Sequence, residues 1–188
     1  MLYILINYAH KKIISFFVGW VFGFGYFISN LYWITNSLTF DVNFKLIIPF
    51  ALILIPLFLG IFYGLVTFLS SLFNLKNKLS SVLIFSIFFG GIEFLRSFIL
   101  GGFPWNLLVF SVSNNLPSLQ ILSYVGTYSL NLLSITIFLL PIIFFHKYKS
   151  SAAVIFFYFG LILVVINYSY GYFNICLLYT SDAADDVA

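Results

Sequence analysis

Between Leu46 and Leu69 the chain reads LIIPFALILIPLFLGIFYGLVTFL, 24 residues without a single charge. Crossing the hydrocarbon core takes about 20 mostly apolar residues in a helix, because no water is present there to satisfy stray backbone groups. This run is long enough to cross. Four others match it, at 13–34, 79–100, 118–144 and 152–170, and short polar connections separate the five. The chain is therefore expected to be an all-α membrane protein, a polytopic bundle of about five transmembrane helices. The transmembrane domain occupies 13–174, preceded at 1–12 by a truncated helix end and a lysine pair.

Composition excludes the main alternative. Of 188 residues, 63% are hydrophobic and 7% are charged, which is too few charges to coat a soluble domain of this size. The basic balance, eight Lys+Arg against five Asp+Glu, speaks to membrane orientation and not to nucleic acid. Three lysine pairs, Lys11/Lys12, Lys76/Lys78 and Lys147/Lys149, fall on one side if the spans alternate; the other side holds Asp41 and Lys45. The excess of lysine marks the first side as cytoplasmic and sends the chain out on the opposite face after the fifth span, near Tyr172. The first span is too long for a cleavable signal peptide, and no A-x-A site follows it.

The last residues break with everything before them. CLLYTSDAADD abandons the Phe/Ile/Leu character and reads as one frame of a transposon-end sequencing adapter. Residues 175–188 are accordingly expected to be read-through, with native sequence stopping near Asn174. The sole cysteine, Cys176, falls in this tail, so no disulfide is possible within the chain.

Few motifs rise above membrane architecture. Gly19-x-x-x-Gly23 and Gly60-x-x-x-Gly64 place small residues on one helix face, which favours close helix packing over the simple abundance of glycine in such helices. Gly23-Phe-Gly25 lacks the context of a phosphate loop. Pro56 is expected to kink the second span. His10 and His146 are too few and too distant for a metal site, and no G-x-S-x-G elbow offers an activated serine. Tyr32 and Trp33 suit an outer aromatic belt at the end of a span that also carries Trp20 and Tyr26.

The exception is EFLRSFILGGFPWN, residues 93–106. Counting about 1.5 Å per residue from Leu79 places Glu93 about 21 Å into a core of about 30 Å. Arg96 lies one turn further out, within snorkelling reach of the surface, and shares a face with Glu93 at i,i+3. Ionisable groups at that depth face the protein interior or a wet cavity. A structural ion pair and a functional role both remain open. Gly101-Gly102 and Pro104 end the helix, and Phe103 and Trp105 are amphipathic anchors. Glu93, Arg96, Phe103, Pro104 and Trp105 are thus the candidates for a cavity that receives a lipid headgroup.

Three segments together resemble one family. KKIISFFVGWVFGFGYFISNLYWI is similar to the third membrane helix of apolipoprotein N-acyltransferases, EFLRSFILGGFPWN to their Glu-x-x-Arg helix end with Gly-Phe-Pro-Trp, and PSLQILSYVGTYSLNLLSI to the Pro…Gln…Gly pattern that opens the next helix. The likeness runs collinearly from Lys11 to Tyr170; Val109 and Ser129 depart from it at positions where the family favours glycine. The resemblance implies that the five spans correspond to the third through seventh helices. It also implies that the intact protein carries an extracytoplasmic nitrilase-like domain with a Glu-Lys-Cys triad, which this chain lacks. The implied reaction moves an acyl chain from a membrane phospholipid to a catalytic cysteine, and then to the N-terminal amine of a diacylglyceryl-cysteine lipoprotein. On that reading this chain holds no catalytic residue, needs no cofactor or metal, binds no nucleic acid and is inactive alone. It lies in the bacterial inner membrane. A small polytopic transporter with Glu93 and Arg96 along a polar path, or a non-catalytic membrane scaffold subunit, is the alternative.

Overall fold

Pairs of glycines one helical turn apart let two backbones approach where any larger side chain holds them off. The first unit of the protein is built on that approach. A computed structural model describes residues 2–9, 11–40, 42–73, 79–99, 106–112, 114–142 and 151–185. The chain divides into two compact units, Met1–Asn106 and Leu107–Ala188.

In the first unit α1 (Leu2–Tyr8) precedes α2 (Lys12–Leu31) and the one-turn α3 (Ile34–Ser37). A 3₁₀ turn (Val42–Ile47) leads into α4 (Ile48–Leu72), and α5 (Leu79–Ile99) follows. The buried residues of α2 are Ser15, Gly19, Gly23, Phe27 and Leu31, one ridge at strict i,i+4 spacing. That ridge lies on α4. A methyl placed on Gly23 would stand 2.8 Å from Tyr63 Cβ and 2.9 Å from Gly60 Cα. One on Gly60 would stand 2.9 Å from the Trp20 carbonyl, and one on Gly64 2.8 Å from the Phe16 ring. Both glycine pairs therefore serve close packing, each receiving the other helix.

Polar groups fasten the same interface. The Thr67 hydroxyl lies 2.7 Å from the Ser15 carbonyl of α2, and the Trp20 indole N–H donates to the Leu57 carbonyl of α4 at 2.9 Å. Pro49 sits in the first turn of α4, where no backbone donor is needed. Pro56 lies buried within α4, which continues as one helix on either side of it. Helix α1 packs Tyr3 edge-on to Phe85 of α5, with ring centroids 5.5 Å apart.

The second unit differs from expectation. Instead of one span over 118–144, the chain forms a 3₁₀ turn (Leu108–Val112), α6 (Leu116–Leu119), α7 (Leu122–Val125) and α8 (Thr127–Leu139). The cause is local. Pro117 begins α6, and Gly126, at φ 75° and ψ 163°, takes a conformation nearly confined to glycine and turns the chain between α7 and α8. Leu107, Val109 and Leu130 form a buried cluster, and the Val109 amide donates to Asn131 Oδ1 at 3.0 Å. A last helix, α9 (Ser151–Asp185), runs unbroken through the start of the 175–188 segment.

Among the described residues there is no strand, and four helical segments are long and apolar enough to cross a membrane: Lys12–Leu31, Lys45–Leu72, Leu79–Ile99 and Ser151–Leu177. The chain is an all-α membrane bundle; about five spans were expected, and the described residues hold four helices of crossing length. Of the orientation markers, Lys11, Lys12 and Lys45 are exposed; Lys76, Lys78, Lys147, Lys149, Asp41, His10 and His146 lie outside the described residues.

Candidate functional site

The face that α5 turns inward carries Val82, Phe85 and Phe89 with two small serines, Ser81 and Ser86, in its first turns, and then becomes charged with Glu93 and Arg96. Glu93 is 1% exposed and Arg96 fully buried. Arg96 therefore does not snorkel outward as its place near the helix end suggested. Their shared face, expected from the i,i+3 spacing, is the interior one.

Tyr63 of α4 organises their surroundings. Its hydroxyl donates to Glu93 Oε1 at 3.2 Å. Its ring lies among Phe89 of α5 and Phe27 and Tyr26 of α2, with centroid separations of 4.8, 5.1 and 5.5 Å. Such contacts fix a ring in place at about 0.5–1.5 kcal/mol each beyond their buried area. The Arg96 guanidinium carbon stands 5.1 Å from the centroid of Phe27. Cation–π attraction of this kind reaches about 2 kcal/mol when the charge is desolvated. Three helices thus meet in a shell of aromatic rings around one carboxylate and one guanidinium.

The same shell reaches the chain that follows α5. The Tyr26 hydroxyl donates to the Asn106 carbonyl at 3.1 Å. Asn106 adopts φ 56°, a left-handed conformation that asparagine tolerates better than most residues. Phe103, Pro104 and Trp105, the other three sequence candidates, lie outside the described residues.

The site therefore unites Glu93 and Arg96 with four residues that sequence reasoning did not assign to it: Tyr26, Phe27, Tyr63 and Asn106. Tyr26 reads as an ordinary aromatic of a membrane helix, and Phe27 and Tyr63 as apolar bulk within their runs. One signal does exist. Phe27 continues the Gly19, Gly23 ridge by one further turn, so the contact face of α2 leads directly to Arg96. Chemically the cluster holds opposite charges in a low-dielectric setting where their fields act strongly. A carboxylate steadied by a phenol on a packed helix is built to hold position. Among the described residues no group of three His, Cys, Asp or Glu is placed to hold a metal ion.

The fold and this buried polar centre define an integral, multi-helix membrane protein in which Glu93 and Arg96 face the protein's own interior. The family is shown by comparison. The apolipoprotein N-acyltransferase N-terminal domain matches residues 1–140, and the chain belongs to that family. It is similar to the apolipoprotein N-acyltransferase of Rhizobium rhizogenes, 29% identical over 177 residues covering 93% of this chain and 32% of that protein. It is also similar to those of Brucella melitensis (35% identical; 66% of this chain, 23% of the relative) and Rhizobium etli (34% identical; 69% and 24%). The chain thus spans a third or less of the length of these relatives. No solved structure matches it.

Proposed function

We propose that this chain is the membrane portion of an enzyme that transfers an acyl chain from phospholipid to the N-terminal amine of diacylglyceryl-cysteine lipoproteins. The observation that carries the reading is the family match over residues 1–140, which includes α2, α4, α5 and the whole buried cluster. In this reading Glu93 and Arg96 shape the floor of a lipid-binding cavity, and Phe103, Pro104 and Trp105 form part of its rim. The nucleophile belongs to the part of the relatives' length that this chain does not span, so these 188 residues alone transfer no acyl group. The enzyme lies in the bacterial inner membrane with its lysine loops cytoplasmic. With α6, α7 and α8 together taking the chain across once between α5 and α9, residue 174 lies on the extracytoplasmic side, where both lipid substrates meet the nucleophile.

The cluster's design supports a positioning role over chemistry. Glu93 accepts a hydrogen bond from a fixed phenol, and aromatic rings pack around that phenol. The test uses the intact reading frame, in membranes, with Glu93→Gln and Glu93→Leu. Both variants are expected to form the thioester with a fluorescent phospholipid. Glu93→Leu is expected to raise KM for that donor and lower thermal stability. Normal folding with complete loss of thioester formation in Glu93→Gln would assign Glu93 a direct chemical role and overturn the reading. Acyl transfer by the 188-residue chain alone would overturn the placement of the nucleophile.

A further inference from the structure

The second unit holds a half-open groove of about 270 Å³ bordered by residues of α6, α8 and α9. A single water needs about 10–15 Å³ by the same kind of measure, and apolar cavities of this sort stay dry. Leaving such a volume empty forfeits dispersion contacts along every wall. In a membrane, hydrocarbon rather than water is the natural filling of such a groove.

The walls fit that filling. Leu133, Phe138, Leu163 and Ile166 line the space, and all four also belong to the exposed apolar surface of the unit. In a membrane that surface faces hydrocarbon, so the space opens sideways to acyl chains. The polar lining consists of Ser118, Ser134 and Asn167, and among the described residues no charged one takes part. The Asn167 side-chain amide donates to the Ser118 carbonyl at 3.1 Å, tying α9 to α6 beside the space. Two hydroxyls and one amide suit an ester, and none of the three brings the positive charge that would balance a phosphate.

We propose that this space is a binding site for one acyl chain of a bilayer phospholipid, held between α8 and α9 as a resident lipid. The site lies wholly in Leu107–Ala188, whereas the Glu93 cluster lies in the first unit. The inference rests on membrane embedding and not on the acyltransferase reading. The lipid takes the place of a helix–helix contact: α8 and α9 border the groove on either side, and the acyl chain between them supplies the packing that their side chains do not. It also explains how a helix of 13 residues, too short to cross the core alone, stays seated beside a long one.

The 188-residue chain, purified in mild detergent and exchanged repeatedly, is examined by native mass spectrometry and by photolabelling with a phosphatidylethanolamine carrying a diazirine acyl chain. The expected result is one intact diacyl lipid retained per chain, with label on Leu133, Phe138 or Leu163. Ser134→Trp fills the space and is expected to cut retention and labelling at least tenfold, with helix content unchanged by circular dichroism. Ile137→Phe serves where Ser134→Trp fails to fold. Val165→Trp, on the exposed face of α9, is expected to change neither. Equal labelling in all variants, or no lipid retained by the unaltered chain, would overturn the proposal. Retention of a lysophospholipid in place of the diacyl form would also overturn it, by marking the occupant as a consumed substrate.

Discussion

Gly23→Ala tests whether the α2–α4 contact is the frame of the first unit. The added methyl would stand 2.8 Å from Tyr63 Cβ and 2.9 Å from Gly60 Cα. Carbon atoms rest about 3.5–4.0 Å apart, so the helices must separate by about 1 Å at this point. Overpacking of that kind costs about 1–3 kcal/mol. The shift also stretches two fastenings of the same interface, Trp20 to the Leu57 carbonyl at 2.9 Å and Thr67 to the Ser15 carbonyl at 2.7 Å. Weakening each loses up to about 1 kcal/mol. Alanine regains about 0.5–1 kcal/mol in helix propensity. The net expectation is a loss of about 2 kcal/mol. Gly25→Ala is the internal control, because a methyl there meets nothing within 4 Å and keeps the propensity gain. The two variants, one turn or less apart on one helix, should therefore differ by about 3 kcal/mol, roughly a hundredfold in the folding equilibrium. Reversible unfolding in mixed micelles, titrated with dodecyl sulfate and followed by far-ultraviolet circular dichroism, measures it. If Gly23→Ala proves as stable as Gly25→Ala within about 0.5 kcal/mol, the close packing argued for α2 and α4 is wrong. If Gly23→Ala and Gly60→Ala add without coupling, the two glycines do not share one contact.

Tyr63→Phe keeps the ring among Phe27, Phe89 and Tyr26 but removes the hydrogen bond to Glu93, so the same titration should show a loss of about 1.5–3 kcal/mol; no loss would mean that the 3.2 Å contact contributes nothing. Gly126→Ala forces a side chain into φ 75°, ψ 163° between α7 and α8, and should cost about 1–3 kcal/mol, read as a lower unfolding midpoint; a midpoint equal to that of the unaltered chain would show that α7 and α8 are not joined by this turn.

What could be read from the sequence follows the distance over which each determinant acts. Span length and apolar content are local, so α2, α4 and α5 were legible within a few residues of their ends, whereas α9 was legible at its start and runs to Asp185, well past the expected 170. Glycine spacing is also local, and it pointed to a contact face before the partner was known. The turn at Gly126 was harder to read. Its neighbours are apolar enough to continue a span, and nothing in SYVGTYS announces that Gly126 will leave the helical region; the structure shows the choice only through φ. The centre around Tyr63 was the least legible part. Glu93 and Arg96 stood out because charge is costly at their depth, whereas Tyr63 sits in an apolar run where a phenol carries little cost. Its importance comes from the partner helices: α2 brings Phe27 and Tyr26, α5 brings Phe89 and Glu93, and the register of α2 on α4 is set by the glycine contact. Moving α2 by one turn along α4 would keep every local propensity satisfied and still take Phe27 away from both Tyr63 and Arg96. The buried charges are thus held by a contact whose determinants lie elsewhere, at Gly19, Gly23, Gly60 and Gly64, and a substitution there should disturb Glu93 and Arg96 without touching either.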